Sequence, residues 1–373
     1  MSALDRYEPS LDGMRGVCIA AVVAFHSSAQ AGLHGWVRGG FIGVSVFFTL
    51  SGFLITSLLL RERDAHGRID LAEFWARRIR RLWPASLAVV LGVVLLSRRG
   101  SLAVRAADAV AATWNATNWH VIAGGQGRLL QTIVGPLGPT WSLAVEEQFY
   151  VVLGLLLAVA FLCRRPRRVL GVVAGLGVVV PIVLANMVTD WQPSLEFNTL
   201  LRTPELFAGV LLALWFSGRT TAPLRPGRGD PVAAAGLVAL VAMFLFVDYS
   251  PPWLLRGGYT VVAGITALTI AGLLQRGRVA VALAVAPLRL LGVLSYSLYL
   301  VHWPVMSVLT RDRTGWHGAP LVGAHVAVTL IAAAALHLAI ERPLRRRRTS
   351  PARTFAVSGV AAASLTVLSL VLL

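Results

Sequence analysis

The chain contains no lysine: its 34 basic residues, set against 17 acidic ones, are all arginine. Charge of either sign is scarce. Asp, Glu, Lys and Arg make up 14% of 373 residues, where a soluble domain carries about a quarter. That shortage excludes an ordinary soluble enzyme, and a hydrophobic content of 56% excludes a disordered chain. Cysteine is nearly absent too. Cys18 and Cys163 both lie in apolar runs, so neither a disulfide framework nor a metal site is expected, and both read as core residues.

What the chain does have is apolar sequence in long runs, with a mean hydropathy of +0.71. A membrane helix needs about 20 mostly apolar residues. Such runs lie near 14–31, 40–60, 83–97, 141–163, 169–189, 200–216, 231–247, 257–275, 289–310, 320–340 and 354–373. The first is not a cleaved leader, because it lacks a small-residue cleavage site and a second run follows closely. The expected fold class is all-α, a polytopic transmembrane helix bundle. Segment 98–140 stands apart. It is amphipathic over 101–121 and glycine-rich over 124–138, which suits an interfacial helix followed by a loop, or a re-entrant piece lining a cavity.

Arginine placement orients the spans. With the N-terminus in the cytoplasm, 25 of the 34 arginines fall inside, and the remainder, Arg202 among them, fall outside. This predicts a multi-pass protein of the inner, cytoplasmic membrane with an extracytoplasmic C-terminus. It also removes nucleic acid as a partner, since each basic cluster abuts a span instead of joining one stripe.

Ionisable groups at membrane depth are costly and mark function. The first span reads LDGMRGVCIAAVVAFHSS. Arg15 and His26 are eleven residues apart, so they share a face about 16 Å apart along the axis. Histidine is the side chain suited to move protons near neutral pH; a core histidine and a snorkelling arginine form the competing structural reading. The second span opens GGFIGVSVFFTLSGFLIT, where Gly39, Gly40, Gly43 and Gly52 predict close helix approach, and Ser45 and Ser51 offer hydroxyls. In EFWARRIRRLWPA, Arg78 and Arg81 share a face. They suit a phosphate grip or plain anchoring to anionic lipid. In GPTWSLAVEEQFYVV, Glu146 and Tyr150 share a face, with Trp141 at the rim. A carboxylate there needs a partner, and His26 lies in the same outer layer. In LLGVLSYSLYLVHWPV, Ser295, Tyr299 and His302 line one face near mid-membrane, a cavity-lining set. Glu341 in ERPLRRRR reads as an interfacial partner for the arginines around it.

Together these segments resemble the membrane acyltransferase type 3 family of integral membrane O-acyltransferases. LDGMRGVCIAAVVAFH, GGFIGVSVFFTLSGFLIT, FWARRIRRLWPA, PTWSLAVEEQFYVV and LLGVLSYSLYLVHWPV recur in the family's order, over roughly residues 9–345. The resemblance implies a ten-helix core within residues 1–345, leaving 346–373 as a basic linker and an eleventh helix. It implies transfer of an acyl group, usually acetyl, from cytoplasmic acyl-CoA as co-substrate, with no cofactor held permanently. The acceptor is a hydroxyl on an extracytoplasmic glycan, a lipid-linked saccharide or a small glycosylated molecule. The family's arginine–ten residues–histidine motif falls on Arg15 and His26, its paired inner-face arginines on Arg78 and Arg81, and its tryptophan–glutamate motif on Trp141 and Glu146. The family often has Asp where Ser45 stands, so Ser45 is left outside the catalytic set. Some relatives add a secreted esterase-like domain after an eleventh span. Here the sequence ends at Leu373, so the expectation is that the acceptor is acylated directly or that a separate extracytoplasmic partner, or a domain missing from this chain, completes the transfer. The expected mechanism has Arg78 and Arg81 on the CoA phosphates with help from Arg15, His26 as general base and Glu146 orienting it. A transporter or flippase of a lipid-linked saccharide is the rival reading, but it asks for two related halves that the sequence does not show. A lipid-binding scaffold would need only the arginine clusters.

Overall fold

The structure is a computed structural model, and it describes residues 7–33, 35–124, 135–187, 192–217, 227–249, 251–347 and 349–373. Among these residues the chain is helical, with no strand. In order, the α-helices are α1 (Pro9–Ala31), α2 (Gly43–His66), α3 (Leu71–Arg98), α4 (Ala106–Thr113), α5 (Thr117–Ala123), α6 (Thr140–Ala160), α7 (Pro166–Met187), α8 (Gln192–Phe197) and α9 (Thr203–Phe216). They continue with α10 (Gly229–Phe246), α11 (Tyr259–Leu273), α12 (Arg278–Leu283), α13 (Ala286–Val308), α14 (Arg311–Thr314), α15 (Gly318–Leu336), α16 (Arg342–Arg346) and α17 (Pro351–Leu372). Wide π turns, Leu254–Gly258 and His337–Glu341, precede α11 and follow α15.

Among the described residues nine helices are long and apolar enough to cross a membrane. They fall on nine of the expected runs, and the protein is an all-α polytopic bundle. The two other runs are helical as well. One is α1, which carries Arg15 and His26 along its apolar stretch, and the other is α9, apolar but only 14 residues long.

The largest departure from the sequence reading is α3. The apolar run predicts a span that begins near residue 83. Instead one 28-residue helix runs straight through Pro84. Asp70 starts it early by accepting the Glu73 backbone N–H at 2.9 Å. At 1.5 Å per residue the helix is about 42 Å long, against a hydrocarbon core of about 30 Å. Its arginine-bearing turns are therefore an overhang of the spanning helix itself. Arg80 fastens that overhang, donating to Glu73 at 2.7 Å, to the Thr349 carbonyl at 2.8 Å and to the Thr354 hydroxyl at 3.2 Å.

The helices divide into two compact units. The first comprises Met1–Phe25, Gly35–Ile69 and Glu146–Val293; the second comprises His26–His34, Asp70–Val145 and Leu294–Leu373.

In the first unit α2 packs on α9, α9 on α7 and α11, and α11 on α10. The expected close approaches are present: Gly39 abuts the Met243 carbonyl, Gly40 that of Ala21, Gly43 that of Cys18 and Gly52 that of Leu206. At the α2–α9 crossing Gly209 meets the Thr49 carbonyl from the other side, so two backbones touch with no side chain between them. Gly52→Val would push a branched side chain into the Leu206 carbonyl. Overpacking of this kind costs roughly 1–3 kcal/mol or more, and the expected result is a lower melting temperature and reduced membrane accumulation, read by thermal unfolding in detergent. Cys18 is buried as expected, but Cys163 is exposed. The helical part of the apolar run ends at Ala160, and residues 161–165 form a turn that is exposed from Leu162 on.

In the second unit α4 and α17 cover α3 through a shared cluster that includes Val90, Val93, Ala109, Leu137 and Leu365. The expected amphipathic segment is two short helices, α4 and α5, separated at Asn115, whose φ is +52°. Most of the glycine-rich stretch expected over 124–138 lies outside the described residues. Asp108 is buried at the start of α4, where it accepts from Arg105 at 2.9 Å and from His120 at 2.8 Å. Burial drives its carboxyl upwards, but these bonds and the Arg105 backbone N–H outweigh burial and hold it below the ordinary carboxylate value. A folded-state value below the unfolded one stabilises at neutral pH, and that support is lost as pH falls through the folded-state value. Hydrogen-exchange protection over residues 105–120, taken relative to the intrinsic rate at each pH, is therefore expected to be high at neutral pH and to fall in strong acid. Asp108→Asn should exchange faster at neutral pH and lose the acid step.

Glu341 is not the interfacial arginine partner expected from sequence. It is buried, accepting from Ser297 at 2.7 Å and bonded by His337 Nδ1 at 2.9 Å. The π turn that contains it brings the carboxylate inward against α13.

Candidate active site

The residues singled out in the sequence all sit within the protein rather than on its outer face. Arg15, His26, Arg78, Arg81, Trp141 and Glu146 are half-buried, while Tyr150, Ser295, Tyr299 and His302 are buried. Two groups form, one in each unit.

The second unit holds the imidazole. His26 ends the apolar stretch of α1, and α13 presents Tyr299, His302 and Trp303 at helical spacings of three and four, which place them on one side. His302 is fully buried, and its Nε2 lies 3.2 Å from Nδ1 of His26. The ring centroids are 5.1 Å apart, and the Trp303 indole meets the His26 ring edge-on at 5.0 Å. Trp303 is itself held, its Nε1 donating to the Gly135 carbonyl at 2.9 Å.

The tautomers follow from one bond. Nδ1 of His302 lies 2.6 Å from the carbonyl of Tyr299. A carbonyl only accepts, so Nδ1 of His302 carries the proton. In the neutral ring Nε2 is then the acceptor, and the atom that donates to it is Nδ1 of His26. This fixes the neutral His26 ring with its proton on Nδ1 and its lone pair on Nε2, the form a general base requires. The Tyr299 hydroxyl donates to the Pro139 carbonyl at 3.0 Å and meets the Ser142 hydroxyl at 2.7 Å, so the face of α13 that bears His302 is also pinned to the start of α6.

The first unit holds the carboxylate. Glu146 accepts from Ser51 at 2.8 Å and from Tyr150 at 3.1 Å. The Glu146–Tyr150 pairing expected from the spacing is thus a hydrogen bond, and Ser51 adds a second one from α2. Arg15 faces Asp12 one turn earlier on α1 at 3.5 Å. In the second unit, Arg78 and Arg81 lie on the overhang of α3, and Nε of Arg81 is buried without a hydrogen-bond partner among the described residues.

Sequence reasoning missed two features. It placed His302 only as a lining residue, although the Tyr299–His302–Trp303 spacing already marks a face that a second imidazole could meet. It also counted Arg202 as a topological marker. Arg202 is 2% exposed and Glu205 0%, and they form a bidentate pair at 2.9 and 2.7 Å. Nη2 of Arg202 also reaches the Ser45 hydroxyl at 3.0 Å, and the guanidinium lies over the Tyr259 ring at 3.8 Å. The signal was available: Arg and Glu three apart at the head of an apolar helix. Among the described residues no group of three or more His, Cys, Asp or Glu side chains is gathered to hold a metal.

A family profile described as an acyltransferase domain matches residues 8–340. The chain is 33% identical to the O-acetyltransferase OatA of Staphylococcus aureus over 317 residues, covering 81% of this chain and 51% of that protein. It is 32% identical to the peptidoglycan O-acetyltransferase OatA of Listeria monocytogenes over 359 residues, 91% of this chain and 56% of that protein. A putative O-acetyltransferase of Staphylococcus aureus is 32% identical over 356 residues, 91% of this chain and 58% of that protein. The chain thus spans about half the length of the curated relatives it matches. No solved structure matches it. The transporter reading finds no support in these matches.

Proposed function

The chain belongs to the acyltransferase domain family, and on that premise we propose that it is a membrane O-acetyltransferase acting on an extracytoplasmic glycan. The acetyl group comes from cytoplasmic acyl-CoA, and the acceptor is a hydroxyl of peptidoglycan or a similar glycan, the substrate that the name of the Listeria relative gives. The N-terminus lies in the cytoplasm and the membrane is the inner one, as the arginine distribution favours.

The observation that supports this reading best is the His26–His302 pair. Arg78 and Arg81 take the CoA phosphates, with the buried Nε of Arg81 supplying one unmet donor. The pantetheine arm runs towards His26, a rise of about 16 Å from the level of Arg15. Nε2 of His26 removes the proton of the acceptor hydroxyl as its oxygen attacks the thioester carbonyl. The tetrahedral intermediate collapses, the C–S bond breaks, and the imidazolium returns the proton to the leaving thiolate. His302 is a positioning residue: it holds the His26 tautomer and shares the charge that forms on the ring. Arg15 and Glu146 stay in the proposed set on the strength of their motif positions.

The test is direct. Purified full chain in proteoliposomes receives acetyl-CoA labelled in the acetyl group, with glycan on the opposite side. Label on the glycan supports the reading, and glycan that crosses or binds without label overturns it. Adding an extracytoplasmic esterase-like domain from a relative to the same vesicles shows whether such a partner is needed for the final transfer.

A further inference from the structure

The end of α2 and the turn joining α6 to α7 border an open cleft of about 600 Å³, a size suited to a small organic ligand. Four guanidiniums line it, from Arg63, Arg165, Arg167 and Arg168, against one carboxylate, Asp64. Three positive charges are left in excess around a single hollow. Two of the four cations make contacts within the protein. Arg63 lies over the Phe161 ring at 5.1 Å and donates to the Gly67 carbonyl, and Arg167 makes two bonds to Asp64 at 3.0 and 2.9 Å. The 22-residue helix α7 begins at the same wall, at Pro166, and its positive end adds to the potential.

Ordinary membrane anchoring does not build this arrangement. Anchoring arginines snorkel singly along an interface; it gives no reason for two of them to make contacts within the protein around a concavity that gathers two more. Concave walls of one sign concentrate anions, and planar guanidiniums match phosphate oxygens in pairs. We propose that this cleft binds an organic phosphate, a ligand class that either a phosphorylated nucleotide or an anionic lipid head group supplies. None of its residues belongs to the set assigned above to acyl transfer.

The wild-type chain supplies the probe. Cys163 lines the cavity and is exposed, whereas Cys18 is buried. Full-length protein is placed in phosphatidylcholine nanodiscs, and the rate of Cys163 alkylation by iodoacetamide is measured with 3′,5′-ADP, with acetyl-CoA, whose thioester hides the thiol, and with adenosine as uncharged control. A parallel set uses discs containing phosphatidylglycerol. At ten times the dissociation constant about a tenth of sites stay open, so the expected slowing is about tenfold. Slowing by the phosphates but not by adenosine assigns the nucleotide source. Slowing only in the anionic discs assigns the lipid. In either case Arg165→Gln combined with Arg168→Gln should remove the protection. Unchanged alkylation under every condition overturns the proposal, and so does equal slowing by adenosine. Acyl transfer in the same discs keeps the two readings apart: transfer without protection overturns the cleft alone, and protection without transfer overturns the enzymatic reading alone.

Discussion

His26→Ala is expected to lower acetyl transfer by roughly 10²–10⁴-fold, with accumulation in the membrane unchanged. The size follows from the role: a positioned base contributes that much and alanine contributes none. Accumulation should persist because the ring is half-buried and its partners keep other bonds. His302 stays tied to the Tyr299 carbonyl and Trp303 to that of Gly135. The positioning role of His302 has its own signature. His302→Gln keeps a carbonyl oxygen that can accept from Nδ1 of His26, so it should retain much of the activity. His302→Leu fills the space but accepts nothing, so kcat should fall and the acid-side limb of the pH profile should move while the KM for acetyl-CoA holds. A Leu variant as active as the Gln variant would remove His302 from the mechanism, and a His26→Ala variant with full activity would remove the base.

The second large effect concerns stability. Glu205→Ala leaves the Arg202 guanidinium, 2% exposed, without its bidentate carboxylate. Breaking a buried pair from one side costs about 3–5 kcal/mol, a large fraction of the stability of a typical protein. The variant should be nearly absent from membranes, or melt far below the parent in detergent. Removing both charges together, as Arg202→Met with Glu205→Leu, should recover much of the loss, because neither charge is then buried alone. The tyrosine face at 3.8 Å and the Ser45 hydroxyl are not enough to hold the cation by themselves. Melting curves of the single and double variants decide the matter: a single variant as stable as the parent would show that the pair carries no such burden.

How far the sequence anticipates all this depends on the distance over which each feature is written. Span positions are local, and hydropathy recovers them, including α1 and α9. The reading fails at α3, where Pro84 suggests a boundary. In the structure Asp70 starts the helix earlier, and the contacts of Arg80 hold its first turns through that proline. It fails at Cys163, because apolar residues continue for a few positions past the end of α6. Site residues are legible where they share one helix. Glu146 with Tyr150, and Tyr299 with His302, both follow from spacing. The meeting of His26 with His302 joins positions 276 residues apart, which no periodicity can encode. The same holds for Ser45 with Arg202, and for Ser297 with Glu341.

The wide turn at His337–Glu341 holds one residue more than an α-turn would. Each residue advances a helix by about 100°, so everything after that turn is set at a different azimuth from the one an unbroken α15 would give it. Composition and hydropathy barely register this phase. Excising Ala339 would take out that extra residue and let the turn close with Arg342, Arg345 and Arg346 on their present side, whereas excising one residue from the regular part of α15 would swing Glu341 away from Ser297 by about 100°. At this end of the bundle the protein depends on angular bearing as much as on depth.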